Sequence, residues 1–270
     1  MQAAADILMQ PQAVARGVSI ALLVVLATQA IRWFGPSIGG LIASMPMITG
    51  PAYFILLAQG DIGFTAEAAA YSLIYIGAAQ VFLLVFIATL RRIPPAVAFL
   101  LAGLAWFAAI LALGLLPPWP WLGLAGFVLI TVLTRRLARR FVRITGVTVT
   151  ADRAWITAIK GASAGVLVAF STSVAASIGT SWSGVLLVFP IAFVVLCATA
   201  LKIYGKDVLI ATLYSAMRGS SSLAAFCFVL AAGLHAMDPW PAFAAAVWAA
   251  IATTLALGWL VSRPSAGPGS

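Results

Sequence analysis

Charged residues are scarce in this chain. Only 8% of its 270 residues are charged and only six are acidic, whereas 64% are hydrophobic. A soluble protein of this composition would expose large apolar patches to water, so the chain needs lipid as its solvent. No polar stretch is long enough to form a soluble catalytic domain. The composition predicts an integral all-α membrane protein.

Cysteine, histidine and catalytic motifs are also nearly absent. Cys197 and Cys227 lie inside apolar runs, without a CxxC spacing or a histidine partner, which argues against a disulfide framework and a zinc site. The chain contains no HExxH, GxSxG or Walker lysine motif and no paired aspartate-rich motifs. We therefore expect no enzymatic activity, no metal and no cofactor.

Apolar stretches of about 20 residues, the length that crosses a bilayer, recur along the whole chain. Nine such spans lie at about 15–33, 38–59, 65–90, 95–116, 118–135, 155–178, 182–202, 207–233 and 240–262. The fifth is the weakest because prolines shorten it. The first also looks like a signal peptide, but it fits as the first helix of a repeat.

The basic residues orient these spans and do not indicate nucleic-acid binding. The net charge is +9, but the arginines stand at the ends of apolar runs, where lipid phosphates favour them. The heaviest cluster, from Arg135 to Arg143, should be cytoplasmic. Nine spans then place the amino terminus outside and the carboxyl terminus inside, with only Arg16 against the rule. We expect membrane lipids as partners and no nucleic acid.

Two halves of the chain resemble each other. A stretch starting at Ser37 aligns with one starting at Ser181, so that Pro46 matches Pro190, and Tyr71-Ser72 matches Tyr214-Ser215. Residues 1–116 would form one four-helix repeat and residues 154–270 a second. The linker helix and basic cytoplasmic loop at 117–153 add one odd crossing, which inverts the second repeat. Inverted repeats are typical of secondary transporters, although channels and some membrane enzymes also have them.

The second repeat resembles a known family. Its run GVLLVFPIAFVVL followed by ALKIYGKDVLIATLYS is similar to the GlpM-type small bacterial inner-membrane proteins, with matches at Gly205, Asp207, Ala211 and Thr212. Ile210 replaces an arginine of that family, and its later proline-aromatic pair is missing. The resemblance implies a tandem-duplicated relative in the bacterial inner membrane and indicates no substrate.

Arg218 is the strongest functional candidate. It stands near the middle of the eighth span, where a charged side chain costs about 3 kcal/mol or more unless it faces protein or water. Hydroxyl side chains on its face complete a polar stripe: Tyr214, Ser215, Ser221 and Ser222. This stripe suits a bound carboxylate or phosphate. The alternative is a structural arginine that bonds backbone carbonyls freed at Pro46 or Pro190.

Other residues are assigned to the same site. Pro46 and Pro190 interrupt helices at matching places and could expose backbone groups to an ion, although a packing kink is the alternative. Tyr75 is the repeat equivalent of Arg218. Gln80, in the same span, could face the same cavity or serve as an interhelical hydrogen-bond residue.

These features favour a secondary transporter that moves a small or amphipathic anion by alternating access. The substrate would be a carboxylate or a phosphate, including a lipid-linked phosphate. Glu67 is the candidate for proton coupling, with an interfacial carboxylate as the alternative. The competing hypothesis is a non-transporting scaffold or assembly factor that acts through its basic cytoplasmic loop. Small residues on the second, sixth and seventh spans suit internal packing or a homodimer.

Overall fold

The described part of the chain is entirely helical. The computed structural model describes Pro46 and residues 49–58, 60–142 and 191–262. The helices are α1 (Thr49–Ala58), α2 (Ile62–Thr89), α3 (Pro95–Leu113), α4 (Pro120–Ala138), α5 (Ile191–Gly233) and α6 (Pro239–Ser262), with a 3-10 turn at Arg139–Phe141. The first and sixth predicted spans, parts of the second and seventh, and Pro190 lie outside these residues.

Among the described residues, five helices are long and apolar enough to cross a membrane, which supports a multi-pass membrane protein. They cover Ile62–Thr89, Pro95–Leu113, Pro120–Phe141, Gly205–Gly233 and Pro239–Leu260. They coincide with the third, fourth, fifth, eighth and ninth predicted spans, so the helices expected there are confirmed. The weak fifth span is a full helix because Pro120 occupies its first turn, where a missing N–H breaks no helical hydrogen bond.

α2 is the central helix. In its most apolar stretch 72% of the residues are buried, against 17% in α3 and 11% in α6, whose outer surfaces are free to face lipid. α3, α4 and α5 all pack against α2. Asp61 caps its first turn by accepting a hydrogen bond from the Phe64 amide at 2.9 Å.

Glycines let α2 and α4 approach each other closely. A Cβ atom at Gly123 of α4 would lie 3.1 Å from the side chain of Leu73, and one at Gly77 of α2 would lie 2.8 Å from Ile130. Small residues at such crossings bring helix backbones together and support van der Waals packing in lipid. This close approach positions the inner face of α4 beside the middle of α2.

One buried cluster shows which helix ends lie on the same side of the bundle. It joins Leu90 at the end of α2, Ala98 at the start of α3, Ala138 at the end of α4, and Leu209 in α5. We call this side the basic end, because it also holds Arg91, Arg92, Arg136, Arg139 and Arg140. α4 ends there and residues 205–233 of α5 begin there, as the order of the predicted spans requires. The count of nine spans and the inverted repeats stay predictions.

α5 is broken at Gly205. This residue has φ +77° and ψ 176°, so the helix is two segments joined at an angle. A side chain rarely adopts such a backbone conformation, whereas glycine does so without steric cost. The second segment therefore starts at Gly205, at the basic end.

Tryptophans mark the opposite end of the bundle. Trp119, Trp121 and Trp240 are exposed there by 66%, 72% and 50%, near Asp61 and Asp238. Exposed tryptophans at helix ends are typical of a membrane–water interface.

Candidate functional site

Gln80 connects three helices in the interior of the bundle. It lies in α2 with 1% of its surface exposed. Its Nε2 donates to the Met217 carbonyl at 2.9 Å and to the Ser220 hydroxyl at 2.6 Å, both in α5. A third contact, at 3.2 Å, joins Nε2 to the Thr131 hydroxyl in α4. The sequence placed Gln80 either at the site or between helices, and the structure shows the interhelical bonds.

The carbonyl oxygen of Gln80 has no hydrogen-bond donor among the described residues. The direction of the amide follows from chemistry, because a backbone carbonyl such as that of Met217 only accepts and must face the amide nitrogen. Oε1 therefore occupies the other branch of the amide. A buried acceptor without a donor lowers the stability of a fold by about 1–3 kcal/mol, so the unpaired Oε1 of Gln80 needs an explanation.

Arg135 lies one helical turn beyond Thr131 on the same face of α4. Its guanidinium carbon is 4.7 Å from the centre of the Tyr214 ring in α5, which is a cation–π contact. Its Nη1 atom is buried and has no hydrogen-bond acceptor among the described residues. The Tyr214 ring thus holds the Arg135 guanidinium in place, while the Nη1 atom makes no hydrogen bond to the described residues.

Arg218 approaches the same point from α5. It follows Tyr214 by one turn, is half-buried, and is close enough to Arg135 for the two positive charges to repel each other. Helical side chains tilt towards the amino end of their helix, which is the direction from Arg218 to Tyr214 and from Arg135 to Thr131. No carboxylate pairs with either arginine within the part of the chain that the structure describes. The two guanidinium groups form a cationic site between α4 and α5.

The hydroxyl side chains of the predicted stripe on α5 have different partners and burial. Ser222 is buried and donates to the Gly219 carbonyl of its own helix at 2.9 Å. Ser215 and Ser221 are half-buried, and Tyr214 holds Arg135. Ser220, which the sequence did not single out, is the serine that contacts Gln80.

The remaining predicted site residues lie elsewhere. Tyr75 is buried in the cluster that joins α2 to Ile110 of α3, and it stacks on Tyr71 with 5.9 Å between ring centroids. Glu67 is exposed near the start of α2. The Pro46 carbonyl accepts a hydrogen bond from the Gly50 amide at 2.7 Å. These observations place Tyr75 beside α3, Glu67 near the start of α2 and Pro46 just before α1.

Sequence reasoning missed Thr131 and Arg135 as site residues. Arg135 was assigned to the cytoplasmic cluster because it begins a run of arginines. The spacing of Thr131, Thr134 and Arg135 was the available signal, since residues three and four apart lie on one helix face. That polar face meets the polar face of α5.

A second charged contact lies at the basic end. Arg91 at the end of α2 donates to Asp207 of α5, with 3.0 Å from Nε to Oδ1. It joins the two central helices two residues after the break at Gly205. Among the described residues, no three histidine, cysteine, aspartate or glutamate side chains cluster as metal ligands would.

Comparison with known proteins identifies no relative. No family model matches the chain, and neither a curated protein nor a solved structure is significantly similar to it. The resemblance to the GlpM-type proteins stays a prediction, and a functional interpretation rests on the geometry of Arg135, Arg218 and Gln80.

Proposed function

We propose that this protein is a secondary transporter that binds an anionic substrate between α4 and α5. The observation that carries the proposal is that Arg135 lies over Tyr214 with Arg218 near enough to repel its charge, in two membrane-length helices and without a carboxylate partner in the described part. A charged residue in a membrane span costs about 3 kcal/mol or more unless it is compensated. A bound carboxylate or phosphate would compensate both charges and accept several hydrogen bonds.

The depth of Arg218 suits alternating access, while Arg135, in the last turn of α4, lies nearer the basic end. Arg218 follows Gly205 by thirteen residues, which places its Cα about 20 Å from the start of that segment, near the middle of a bilayer core about 30 Å thick. A substrate held there is reachable from either side only if the helices separate at one end at a time. The Arg91–Asp207 ion pair and the break at Gly205 lie where α2 and α5 would separate at the basic end.

In this proposal, the distribution of basic residues determines which end of the protein faces the cytoplasm. The basic end would face the cytoplasm of a bacterial cell, with the exposed Arg136, Arg139 and Arg140 against anionic lipid headgroups. The amino terminus would lie outside and the carboxyl terminus inside. Free anions would reach the site through water, and lipid-linked phosphates through the bilayer.

The test compares three arginines of matched chemistry. Wild type and the variants Arg135→Gln, Arg218→Gln and Arg136→Gln are reconstituted in liposomes, and uptake of inorganic phosphate, sulfate, acetate and an alkyl phosphate is measured. We expect Arg136→Gln to transport like the wild type, because Arg136 is exposed. The two site variants should lose most uptake while they elute as the wild type does in gel filtration. Unchanged uptake in Arg218→Gln would remove the site.

The scaffold hypothesis predicts the reverse pattern. It draws on the exposed arginines that follow Arg135, which could hold anionic lipid or a partner protein. Neutralising Arg136, Arg139 and Arg140 together would then abolish the cellular function, whereas Arg218→Gln would be tolerated.

A further inference from the structure

Gln80 lies about one helical turn from the cationic site, and its Oε1 is a buried hydrogen-bond acceptor. Thr131, which contacts Gln80 Nε2, precedes Arg135 by four residues on α4, which is about 6 Å along the helix axis. Helical side chains tilt towards the amino end of their helix, which is the direction from Arg135 to Thr131. Hydrogen bonds of about 2.8 Å on two sides of a phosphate group can bridge such a gap.

The free positions at the site are complementary. Arg135 has a buried Nη1 donor without an acceptor, and Gln80 has a buried Oε1 acceptor without a donor, both among the described residues. A ligand that satisfies the first must offer an acceptor oxygen, and one that satisfies the second must offer a proton. A fully deprotonated oxyanion offers only acceptors, so it cannot serve Gln80.

Resting on the proposed anion transport, we propose that the site selects a protonated phosphate group. Arg135 and Arg218 bind the unprotonated oxygens, and Gln80 Oε1 accepts the hydrogen bond of the phosphate hydroxyl. Inorganic phosphate carries such a hydroxyl at neutral pH, and a phosphate monoester carries one in part, since its second pKa is about 6. Sulfate has the same shape and no proton, so one of its oxygens would face Oε1 without a hydrogen bond between the two atoms.

The expected discrimination is about fivefold or more in affinity, since a lost hydrogen bond to a buried acceptor changes binding by about fivefold at the low end of its range. Titration calorimetry of the full chain in detergent, at pH 6.0, compares inorganic phosphate with sulfate and an alkyl phosphate with an alkyl sulfate. A preference in the inorganic pair identifies free phosphate as the substrate class, and a preference in the alkyl pair alone identifies a lipid phosphate. Equal affinity within both pairs overturns the selectivity and leaves anion transport standing.

Gln80→Met and Ser220→Ala assign the selectivity to one atom. Gln80→Met removes Oε1 at similar volume, so phosphate affinity should fall to that of sulfate, while sulfate binding shows that the variant is folded. Ser220→Ala removes one contact of Nε2 and retains Oε1, so its preference should match the wild type. A preference that survives in Gln80→Met overturns the assignment. If the wild type binds none of the four anions, the phosphate selectivity fails, and the anion-transport proposal fails with it when acetate also gives no binding; neither outcome needs a variant.

Discussion

The guanidinium of Arg135 lies over the ring of Tyr214, with 4.7 Å between the guanidinium carbon and the ring centre. This contact joins α4 to α5 at the level where Arg218 also arrives. It explains how an arginine from a predicted cytoplasmic cluster becomes part of an interior site. The aromatic face attracts the cation, and the buried Nη1 of Arg135 has no hydrogen-bond partner among the described residues, so this atom remains available to an anion.

Removal of the aromatic face should weaken anion binding. We expect Tyr214→Leu to lower affinity for the preferred anion about fivefold, because a partly buried cation–π contact contributes about 1 kcal/mol and holds Arg135 in position. Tyr214→Phe retains the ring and should bind within about twofold of the wild type. Calorimetric titration of both variants provides the measurement. Equal losses in the two would assign the role to the hydroxyl group and not to the ring.

The ion pair at the basic end should show a small, measurable coupling. The side chains of Arg91 and Asp207 are 24% and 47% exposed, so solvent screening limits the pair to about 0.5–1 kcal/mol. A double-mutant cycle with Arg91→Ala and Asp207→Ala, followed by chemical unfolding in detergent, measures it. Arg92 is the matched control, because it is exposed and pairs with no described carboxylate. A coupling of zero would show that the pair does not hold α2 to α5.

The break in α5 should require glycine for backbone reasons alone. Gly205 has φ +77°, and a Cβ atom there would meet nothing within 4 Å. We expect Gly205→Ala to destabilise the protein by about 1–2 kcal/mol through strain in the left-handed region. Gly126→Ala is the control, since that glycine is helical and also has open space, and alanine there should be neutral or stabilising. Thermal unfolding of both variants provides the measurement. Equal melting temperatures would show that an alanine at position 205 is not strained.

The close approach of α2 and α4 should depend on Gly123. A Cβ atom at this position would already lie 3.1 Å from the fully buried Leu73. Gly123→Val adds two further methyl groups there, and we expect a loss of about 1–3 kcal/mol from overpacking, together with displacement of Thr131 and Arg135 from the site. Gly126→Val on the same helix has open space and should keep both stability and anion affinity. If the two variants behave alike, the crossing is not tight.

The sequence predicted the helices better than the site. The five spans that the structure describes as membrane-length helices were recognised from their length and apolar composition. The prolines do not shorten α4, because the helix begins at Pro120, in the first turn, where proline is tolerated. Arg218 and Gln80 were singled out because polar groups inside apolar runs are costly. Tyr75 was assigned to the same site from repeat symmetry, and the structure places it in a buried cluster against α3.

Composition by itself determined that the chain folds in lipid and crosses it as helices, since hydrophobic transfer and backbone hydrogen bonding depend on each segment alone. Only the tertiary structure decided which polar groups meet. Arg135 and Tyr214 are far apart in sequence, and their contact depends on how α4 crosses α2 at Gly77 and Gly123. Helix faces are readable from periodicity, but the rotation and partner of each face come from packing among all the helices, which no single segment specifies.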